Sequence, residues 1–328
     1  MRKVKLAAIQ PGHVDVPSRY DFASGEYVND PGEIIESVIA PQLAVSVALL
    51  EKAGEAGCDI VTTSEDAAST SDYFMDITER NIFPELVDRA MPMTEAAFAE
   101  VAWRYGMYVV GCYYIRQGDD IFNTASIFDR KGEIVGQYRK THFPANERWQ
   151  CTPGDNLMVF ELDFGKVGIL ICYDIFFQEP AQVLALRGAE VIFHPTFGYG
   201  WYDSIGEATL RTRANDNGLY IVTAKNYVYN GAGKSSVIDY WGQVMCDAGF
   251  NKDVIVTAEV DLDQPKRQPD WYYNTPITGI AEVTERVRRE RRPELYGAIC
   301  APNKRLKVPD QTAQLKILEG IKSGKYHW

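Results

Sequence analysis

Short apolar runs rich in Val, Ile and Tyr recur along most of the chain. Each has the length and the β-branched content of a β-strand. The runs are Val4–Ile9, Asp59–Thr63, Tyr108–Tyr114, Leu157–Leu162, Val167–Cys172, Val191–His194, Tyr220–Ala224 and Val254–Val260. The pattern therefore predicts a core built around β-sheet.

Helical spacing of apolar residues appears between several of these runs. The segments with this spacing are Pro41–Ala56, Met93–Tyr105, Glu179–Gly188 and Ile205–Asn217. Alternation of strands and helices predicts an α/β layered domain.

Two pairs of runs are separated by turn-forming residues and predict β-hairpins. The first joins Phe122–Phe128 to Glu133–Tyr138, and the second joins Ser236–Tyr240 to Val244–Asp247. Because hairpins are antiparallel and strand–helix–strand units are parallel, we expect mixed sheets.

The size and composition of the chain suit a globular protein. It has 328 residues, of which 46% are hydrophobic and 24% charged. No linker divides the sequence, so we expect one domain over residues 1–264. Residues 265–328 follow the last core strand and are expected to form an extension that packs on the domain or on a partner subunit. Glu282–Arg292, dense in Arg and Glu, reads as a solvated helix or arm.

Charge and cysteine usage exclude several classes of protein. The formal net charge of −11 argues against a nucleic-acid partner. No stretch of about 18 apolar residues predicts a membrane span, and Met1–Gln10 does not read as a secretory signal. The six cysteines are scattered, as in a reduced cytoplasmic protein, and the four histidines lack metal-ligand spacing. We therefore expect a cytoplasmic protein without a metal site.

The end of the run Val167–Cys172 is a candidate site for chemistry. A helix is predicted to begin near Glu179, so Cys172 lies at a strand-to-helix turn. Such a turn exposes a nucleophile, and its backbone N–H groups can bind an oxyanion. Taken alone, however, a free cysteine is more often an inert part of the core.

Further polar candidates also follow strands. Glu65 ends the apolar run that begins at Ile60 and, beside apolar residues, could have a raised pKa and act as a general base. Lys140 follows the first predicted hairpin, and Glu147 lies a little farther on. Each has an ordinary alternative as a solvated loop residue.

In this order, and with their flanking sequences, these residues resemble the nitrilase superfamily of carbon–nitrogen hydrolases. The resemblance extends from Val4 to about Asp263. The matching segments are Val4–Gln10, Glu65, Tyr138–His142, Gly168–Asp174, Gly188–Ile192, Arg213–Gly218, Gly233–Ser236 and Ala258–Leu262.

The resemblance implies a fold, a catalytic triad and an assembly. The fold is a four-layer α-β-β-α sandwich with mixed sheets. In the triad, Glu65 is the general base, Lys140 stabilises the oxyanion and Cys172 is the nucleophile. Glu147 is a second acid that supports Lys140 and substrate, and the backbone N–H of Tyr173 completes the oxyanion site. The family also implies a homodimer or larger homo-oligomer, and neither metal nor organic cofactor is expected.

This assignment makes physical sense, because attack on an amide requires a thiolate. We expect Lys140 and the N–H groups at the helix start to lower the pKa of the Cys172 thiol. The chain departs from the family at Ser64, where Pro very often precedes the Glu. Residues 12–40 and 66–92 look like long loops that cover the site and bear on specificity.

The class of carbon–nitrogen bond stays open. Tyr173-Asp174 replaces the Trp-Glu that follows the nucleophile in nitrilases, which favours a small amide as substrate. The alternatives are an N-carbamoyl amino acid or amine, a nitrile, or a catalytically inactive binding or assembly protein on the same fold. Arg291–Gly297 resembles a tail of some nitrilase and carbamoylase branches and keeps these alternatives open.

Aromatic residues near the predicted nucleophile are candidates to bind substrate, although core packing is the more common role for any one of them. These candidates are Tyr173, Phe197, Tyr199 and Trp201. We expect His194 to be a hydrogen-bonded histidine at a strand end, and Asp174 and Glu179 to lie at a helix start.

Overall fold

The computed structural model describes residues 1–14, 20–21, 26–27, 30–73, 82–144, 147–198, 203–227, 233–264 and 288–301. Within them the strands are β1 Lys3–Gln10, β2 Tyr20–Asp21, β3 Glu26–Tyr27, β4 Ile60–Thr62, β5 Tyr108–Gln117, β6 Asp120–Phe128, β7 Ile134–Arg139, β8 Val159–Leu162, β9 Gly165–Ile169, β10 Val191–Thr196, β11 Tyr220–Lys225, β12 Ser236–Ile238, β13 Val244–Asp247 and β14 Val254–Asp261. The α-helices are α1 Pro31–Ile34, α2 Ala40–Glu55, α3 Phe83–Tyr105, α4 Gln178–Leu186 and α5 Asp203–Asn217. Short 3-10 helices span Thr70–Tyr73, Glu147–Trp149, Cys172–Phe176 and Pro293–Leu295.

Two six-stranded mixed sheets form the centre of the molecule. Their strand orders are β14-β1-β4-β5-β6-β7 and β13-β12-β11-β10-β9-β8. The central pairs β1–β4, β4–β5, β9–β10 and β10–β11 are parallel, and the outer pairs are antiparallel. With helices on both outer faces, this is the predicted four-layer α-β-β-α sandwich, and the prediction of fold class is confirmed.

Strand β1 shows why the sheets require continuous apolar runs. Leu6 and Ala8 point into the core between the two sheets, whereas Ala7 and Ile9 pack against the helices on the outer face. Side chains alternate between the faces of a strand, so burial of both faces demands apolar residues at every position. The same alternation in the second sheet places Gly168 of β9 against Leu184 of α4.

Both predicted hairpins form, and the same chemistry closes their turns. In the β6–β7 turn, Asp129 Oδ1 accepts hydrogen bonds from the backbone N–H groups of Lys131 and Glu133. In the β12–β13 turn, Asp239 Oδ1 accepts hydrogen bonds from the N–H groups of Trp241 and Gln243 in the same way. Both turns belong to the Asx type, which makes them readable from sequence.

Two helices are longer than the periodicity predicts. Helix α3 begins at Phe83 rather than Met93 and contains Pro92. The apolar face continues before this proline, so packing compensates for the backbone hydrogen bond that Pro92 cannot make. The helical region around α2 likewise begins at Pro31 and passes through a π-helical turn, Ile35–Ile39. The expectation of long loops is therefore wrong for residues 31–40 and 83–92.

The helical region Pro31–Glu55 has the length and hydropathy of a membrane span, and is the one such region among the described residues. Its apolar side chains, including Val38, Leu43 and Leu50, are buried in the core beneath the first sheet. We therefore interpret it as a core helix of the outer layer.

Of the predicted C-terminal extension, residues 288–301 are described. They contain the 3-10 helix Pro293–Leu295, and their side chains are mostly exposed. Exposure of residues 288–290 and of Arg292 fits the predicted solvated arm. Packing of the extension against the domain or a partner stays a prediction.

Candidate active site

Glu65, Lys140, Glu147 and Cys172 come together where strands of both sheets end. Lys140 Nζ lies 2.7 Å from Glu65 Oε1 and 2.5 Å from Glu147 Oε2. All three of these side chains are buried, with 6% or less of each exposed. The thiol of Cys172 lies close enough to the carboxylate of Glu65 and the hydroxyl of Thr196 for both groups to act on its pKa. The sequence predicted this grouping, and the fold assembles it.

The backbones of Glu65 and Lys140 are held by continuation of the sheet. Beyond β4, the N–H of Thr63 donates to Val110 O, and that of Ala67 donates to Cys112 O. Beyond β7, the N–H of Lys140 donates to Asn123 O. These bonds fix both chain segments on the edge of the first sheet, which orients the side chains toward the second.

Cys172 is positioned differently from the prediction. The strand β9 ends at Ile169, and Cys172 is the first residue of a 3-10 helix rather than the last of a strand. Its φ of 45° lies in the left-handed region, where a residue with a side chain is strained. The side chain of His194 supports this conformation, because its Nε2 lies 3.1 Å from Cys172 O.

Asp174 ties the segment that carries Cys172 to the segment that carries Lys140. Its carboxylate accepts hydrogen bonds from the N–H of Ile171 at 2.9 Å, from Tyr138 Oη at 2.7 Å and from the N–H of His142 at 2.8 Å. Burial alone would raise the pKa of Asp174, but hydrogen bonds from His142 and Tyr138 hold it below its usual value. The predicted position of Asp174 at a helix start is thus observed, and its side chain points into the protein.

The two carboxylates beside Lys140 differ in their ionisation. Burial disfavours both charged forms, but in Glu65 the charge and hydrogen bond of Lys140 outweigh it and hold the pKa below its usual value. The pKa of Glu147 is raised to about 7 by burial and by the neighbouring charge of Glu65, against the pull of Lys140. Although burial opposes the Lys140 cation, Glu147 and Glu65 raise its pKa well above normal. The expectation of a raised pKa for Glu65 is therefore wrong, and Glu147 is the acid that titrates near neutrality.

The pKa of the Cys172 thiol also departs from expectation. Burial and the negative charge of Glu65 raise it to about 12, and the opposing effect of Lys140 is smaller. A thiol with this pKa is protonated at neutral pH. Deprotonation must therefore accompany attack on a substrate, with a base in contact with the sulfur.

Sequence reasoning missed the groups that surround Glu65. Asn123 Nδ2 donates to Glu65 Oε1 at 2.9 Å and to Glu147 Oε1 at 2.7 Å. The backbone N–H of Phe197 donates to Glu65 Oε2 at 2.9 Å. The only sequence signal for Asn123 is an amide inside an apolar strand, where Asn is depleted. No side-chain pattern reveals a backbone donor such as that of Phe197.

The departure from the family at Ser64 has a structural counterpart. Ser64 is buried, and its hydroxyl donates to Asn226 Oδ1 at 2.7 Å. Since Asn226 follows β11 of the second sheet, this bond links the segment of Glu65 to the opposite sheet.

The structure describes two of the four aromatic residues that were predicted to bind substrate. Tyr173 is partly buried and packs against the rings of Phe176 and Phe177. The ring of Phe197 meets that of His13 edge to face, with 5.5 Å between centroids. Tyr199 and Trp201 lie outside the described residues. Roles in substrate binding stay predictions for all four candidates.

His194 has the structural role expected of it. The side chain is fully buried, and its Nδ1 lies 2.9 Å from Thr223 Oγ1. Burial lowers its pKa to about 4, so the imidazole is neutral at neutral pH.

Comparison with known proteins identifies the family. Residues 34–269 match the family model described as carbon-nitrogen hydrolase. The chain belongs to the carbon–nitrogen hydrolase family within the nitrilase superfamily, which confirms the resemblance inferred from the motifs. The prediction of a hydrolase of carbon–nitrogen bonds other than peptide bonds, an amidohydrolase, is confirmed as an enzyme class.

Individual relatives are amidases and a nitrilase. The omega-amidase NIT2-B of Xenopus laevis is 28% identical over 281 residues, which are 80% of this chain and 94% of that protein. The omega-amidase NIT2 of Danio rerio is 30% identical over 278 residues, 80% of this chain and 93% of that protein. A nitrilase of Pyrococcus abyssi is 34% identical over 174 residues, 52% of this chain and 65% of that protein.

Solved structures share the fold. A nitrilase-superfamily amidase of Nesterenkonia AN1 has a TM-score of 0.66 at 20% identity, over 90% of this chain and 97% of that one. A carbon-nitrogen hydrolase of Helicobacter pylori G27 has a TM-score of 0.68 at 22% identity, over 92% and 99% of the two chains.

Proposed function

We propose that the protein hydrolyses a small amide through a thioester on Cys172, with Glu65 as general base and Lys140 as oxyanion stabiliser. The observation that carries the proposal is the buried contact of Lys140 with Glu65 and Glu147 beside the Cys172 thiol. The names of the omega-amidase relatives make a terminal amide the first substrate class to test.

In the first step, Glu65 takes the proton of the Cys172 thiol as the sulfur bonds to the amide carbonyl carbon. This concerted path suits a thiol that is protonated at rest. The carbonyl oxygen becomes an oxyanion. Glu65 is suited to accept a proton because its lowered pKa keeps it ionised and its carboxylate lies beside the thiol.

Two donors are available for the oxyanion. An ammonium has three N–H groups, and in the described part of the chain Lys140 uses two of them for Glu65 and Glu147. The third can donate to the oxyanion. Tyr173 is the second residue of a 3-10 helix, and the first N–H groups of a helix have no acceptor within it.

The remaining steps return the enzyme to its starting state. The protonated Glu65 gives its proton to the amide nitrogen as the carbon–nitrogen bond breaks, which releases ammonia and leaves a thioester. Glu65 then takes a proton from water as the water oxygen attacks the thioester carbon. The carbon–sulfur bond breaks, the acid is released, and the Cys172 thiolate regains its proton from Glu65.

Mass spectrometry tests this proposal directly. Incubation with a panel of terminal amides and N-carbamoyl compounds should release ammonia and leave an acyl adduct on Cys172. Both should be lost in Cys172→Ala and kept in the matched control Cys246→Ala, whose thiol is partly buried outside the site. Turnover of Cys172→Ala at the wild-type rate would refute the proposal.

Nitrile hydrolysis is the second candidate, because the Pyrococcus abyssi nitrilase is 34% identical over 174 residues. The same panel should include simple nitriles. Release of ammonia from nitriles but not amides would favour this function, and joint release of ammonia and CO₂ would identify a carbamoylase.

A further inference from the structure

Asn123 stands between the two buried carboxylates of the site. Its Nδ2 donates to Glu65 Oε1 and Glu147 Oε1, and a longer contact of 3.4 Å reaches Tyr114 Oη. Its own side chain is fully buried in β6, the neighbour of the strand that leads to Lys140. Lys140 is the other side chain seen to make hydrogen bonds to both glutamates.

Chemistry fixes the orientation of the Asn123 amide. Both short contacts of Nδ2 are to carboxylate oxygens of Glu65 and Glu147, which an amide oxygen could not approach favourably. On the other side, Cys112 Sγ donates to Asn123 Oδ1 at 3.5 Å. Burial raises the pKa of Cys112 well above its normal value, so this thiol keeps the proton that it donates.

The donors around Glu65 fall unevenly on its two oxygens. Oε1 accepts hydrogen bonds from Lys140 Nζ and Asn123 Nδ2, whereas Oε2 accepts one from the N–H of Phe197. Each carboxylate oxygen has two lone pairs. The two bonds to Oε1 therefore occupy it, and with the donors of the described residues counted, the acceptor site left open on Glu65 is on Oε2.

We propose that Asn123 is a positioning residue that directs the proton of the Cys172 thiol to Glu65 Oε2. The inference rests on the proposed function, in which Glu65 is the base. As the sulfur bonds to the carbonyl carbon, the S–H bond breaks and an O–H bond forms at Oε2. Oε1 meanwhile keeps its hydrogen bonds to Lys140 and Asn123, so the carboxyl group does not rotate between proton uptake and proton delivery.

Removing the amide should have two effects. Glu65 Oε1 gains an open acceptor site, so the thiol proton can go to either oxygen. Both carboxylates also lose a donor that favours their charged form, which raises their pKa values. If Asn123 had a purely structural role, its removal would change stability without changing the pH dependence of Cys172 reactivity.

The test compares Asn123→Ala and Asn123→Ser with the wild type and with Ser126→Ala. Ser126 lies on the same strand, is fully buried and bonds to Tyr113 and Gln137 on the opposite face of the sheet. Its replacement therefore removes a buried hydroxyl of β6 without touching the site. Circular dichroism at each pH identifies the range in which every variant is folded.

The readout is the rate of Cys172 alkylation by iodoacetamide as a function of pH, followed by mass spectrometry. The rate of alkylation should rise with pH as Glu65, the base that takes the thiol proton, becomes ionised. In Asn123→Ala this rise should occur about one pH unit higher, the size expected for a lost hydrogen bond to a charged group. Asn123→Ser, which retains one donor, should shift less, and Ser126→Ala should coincide with the wild type. An unshifted rise in both Asn123 variants, or an equal shift in Ser126→Ala, would overturn the proposal.

Alkylation needs no substrate, so this test is separate from that of the proposed function. If no amide is hydrolysed by the wild type, the proposed function fails while the profile still decides the role of Asn123. If amide substrates are hydrolysed, kcat should fall in Asn123→Ala with KM nearly unchanged, because the Asn123 side chain acts on the base Glu65 rather than on the substrate.

Discussion

At the scale of single residues, the site is dominated by one buried cation between two carboxylates. Lys140 has 2% of its surface exposed and contacts Glu65 and Glu147, so neither carboxylate could be buried in ionised form without it. Burying an unpaired charge is costly, whereas a paired and hydrogen-bonded charge is tolerated. The same ammonium thus stabilises the fold and, in the proposed reaction, the oxyanion.

Replacing Lys140 with Met should abolish most activity and destabilise the fold. We expect kcat to fall by at least about 10²–10³, the effect of losing one oxyanion donor. We also expect a loss of about 3–5 kcal/mol in the free energy of unfolding, as for other broken buried ion pairs. Steady-state kinetics and urea unfolding measure the two effects. Lys131→Met, in the exposed β6–β7 turn, should change neither, and wild-type stability in Lys140→Met would contradict the pairing.

The raised pKa of Glu147 predicts an unusual pH dependence of stability. In the folded state its pKa is about 7, against 4.5 for an ordinary Glu, so the folded protein binds the proton more tightly than the unfolded chain. Glu147 should therefore lower stability as pH rises from about 4.5 to about 7. Glu65 and Asp174, with lowered pKa values, act in the opposite direction and at lower pH.

Urea unfolding of wild type and Glu147→Gln over this pH range isolates the effect. As pH rises, the unfolding free energy of Glu147→Gln should increase relative to that of the wild type. This increase should continue up to about pH 7 and then level off. Glu133→Gln, at an exposed position, should run parallel to the wild type. A pH-independent difference for Glu147→Gln would show that this carboxyl does not titrate there.

At the scale of elements, the site depends on turns and strand ends held by backbone contacts. The β6–β7 hairpin carries Asn123 and leads directly to Lys140, and its turn packs on α3. At Gly132 of this turn, a Cβ would lie 2.5 Å from Ala99 O. The close approach of turn and helix therefore requires glycine, in addition to the positive φ of 79°.

Gly118 provides a control that separates these two requirements. It also has a positive φ, 63°, but a Cβ there would have no neighbour within 4 Å. Gly118→Ala should cost about 1–2 kcal/mol of unfolding free energy, from backbone strain alone. Gly132→Ala should cost about 1–3 kcal/mol more, because the added methyl meets the backbone of α3. Equal losses in urea unfolding would contradict the close packing.

At the scale of the whole molecule, the two sheets bring together residues that are distant along the chain. Glu65 and Lys140 belong to the edge of one sheet and Cys172 to the other, so the site forms only when the sheets pack face to face. The bond between Ser64 and Asn226 crosses the same boundary. Denaturation of the sandwich should therefore remove the site as a unit.

The homo-oligomeric state and the cytoplasmic location stay predictions at this scale. We expect light scattering of the full chain to give the mass of a dimer or a larger oligomer. A chain truncated after residue 264 tests whether the C-terminal extension contributes to the interface, since it should then form smaller species. A monomeric mass for the full chain over a range of concentrations would contradict the prediction.

The sequence by itself determined the layers, the family and the identity of the central reactive groups. These features depend on residues that are close together in the sequence, so they can be recognised without the fold. They are the continuous apolar runs, the turn-forming residues and the ordered motifs around Glu65, Lys140 and Cys172. The pattern placed the starts of two helical regions too late in the chain. Packing of Val38 and Phe83 extends each region toward the N-terminus, beyond the boundary that the pattern suggested.

Only the tertiary structure decided how these groups are charged and held. The pKa of Cys172 depends on burial and on Glu65, and that of Glu147 on sharing Lys140, and neither burial nor distance can be read from spacing. Asn123 and the backbone N–H of Phe197 acquire their roles because folding brings them to Glu65. Electrostatic effects depend on three-dimensional distance and solvent exclusion, so they appear only when the two sheets meet.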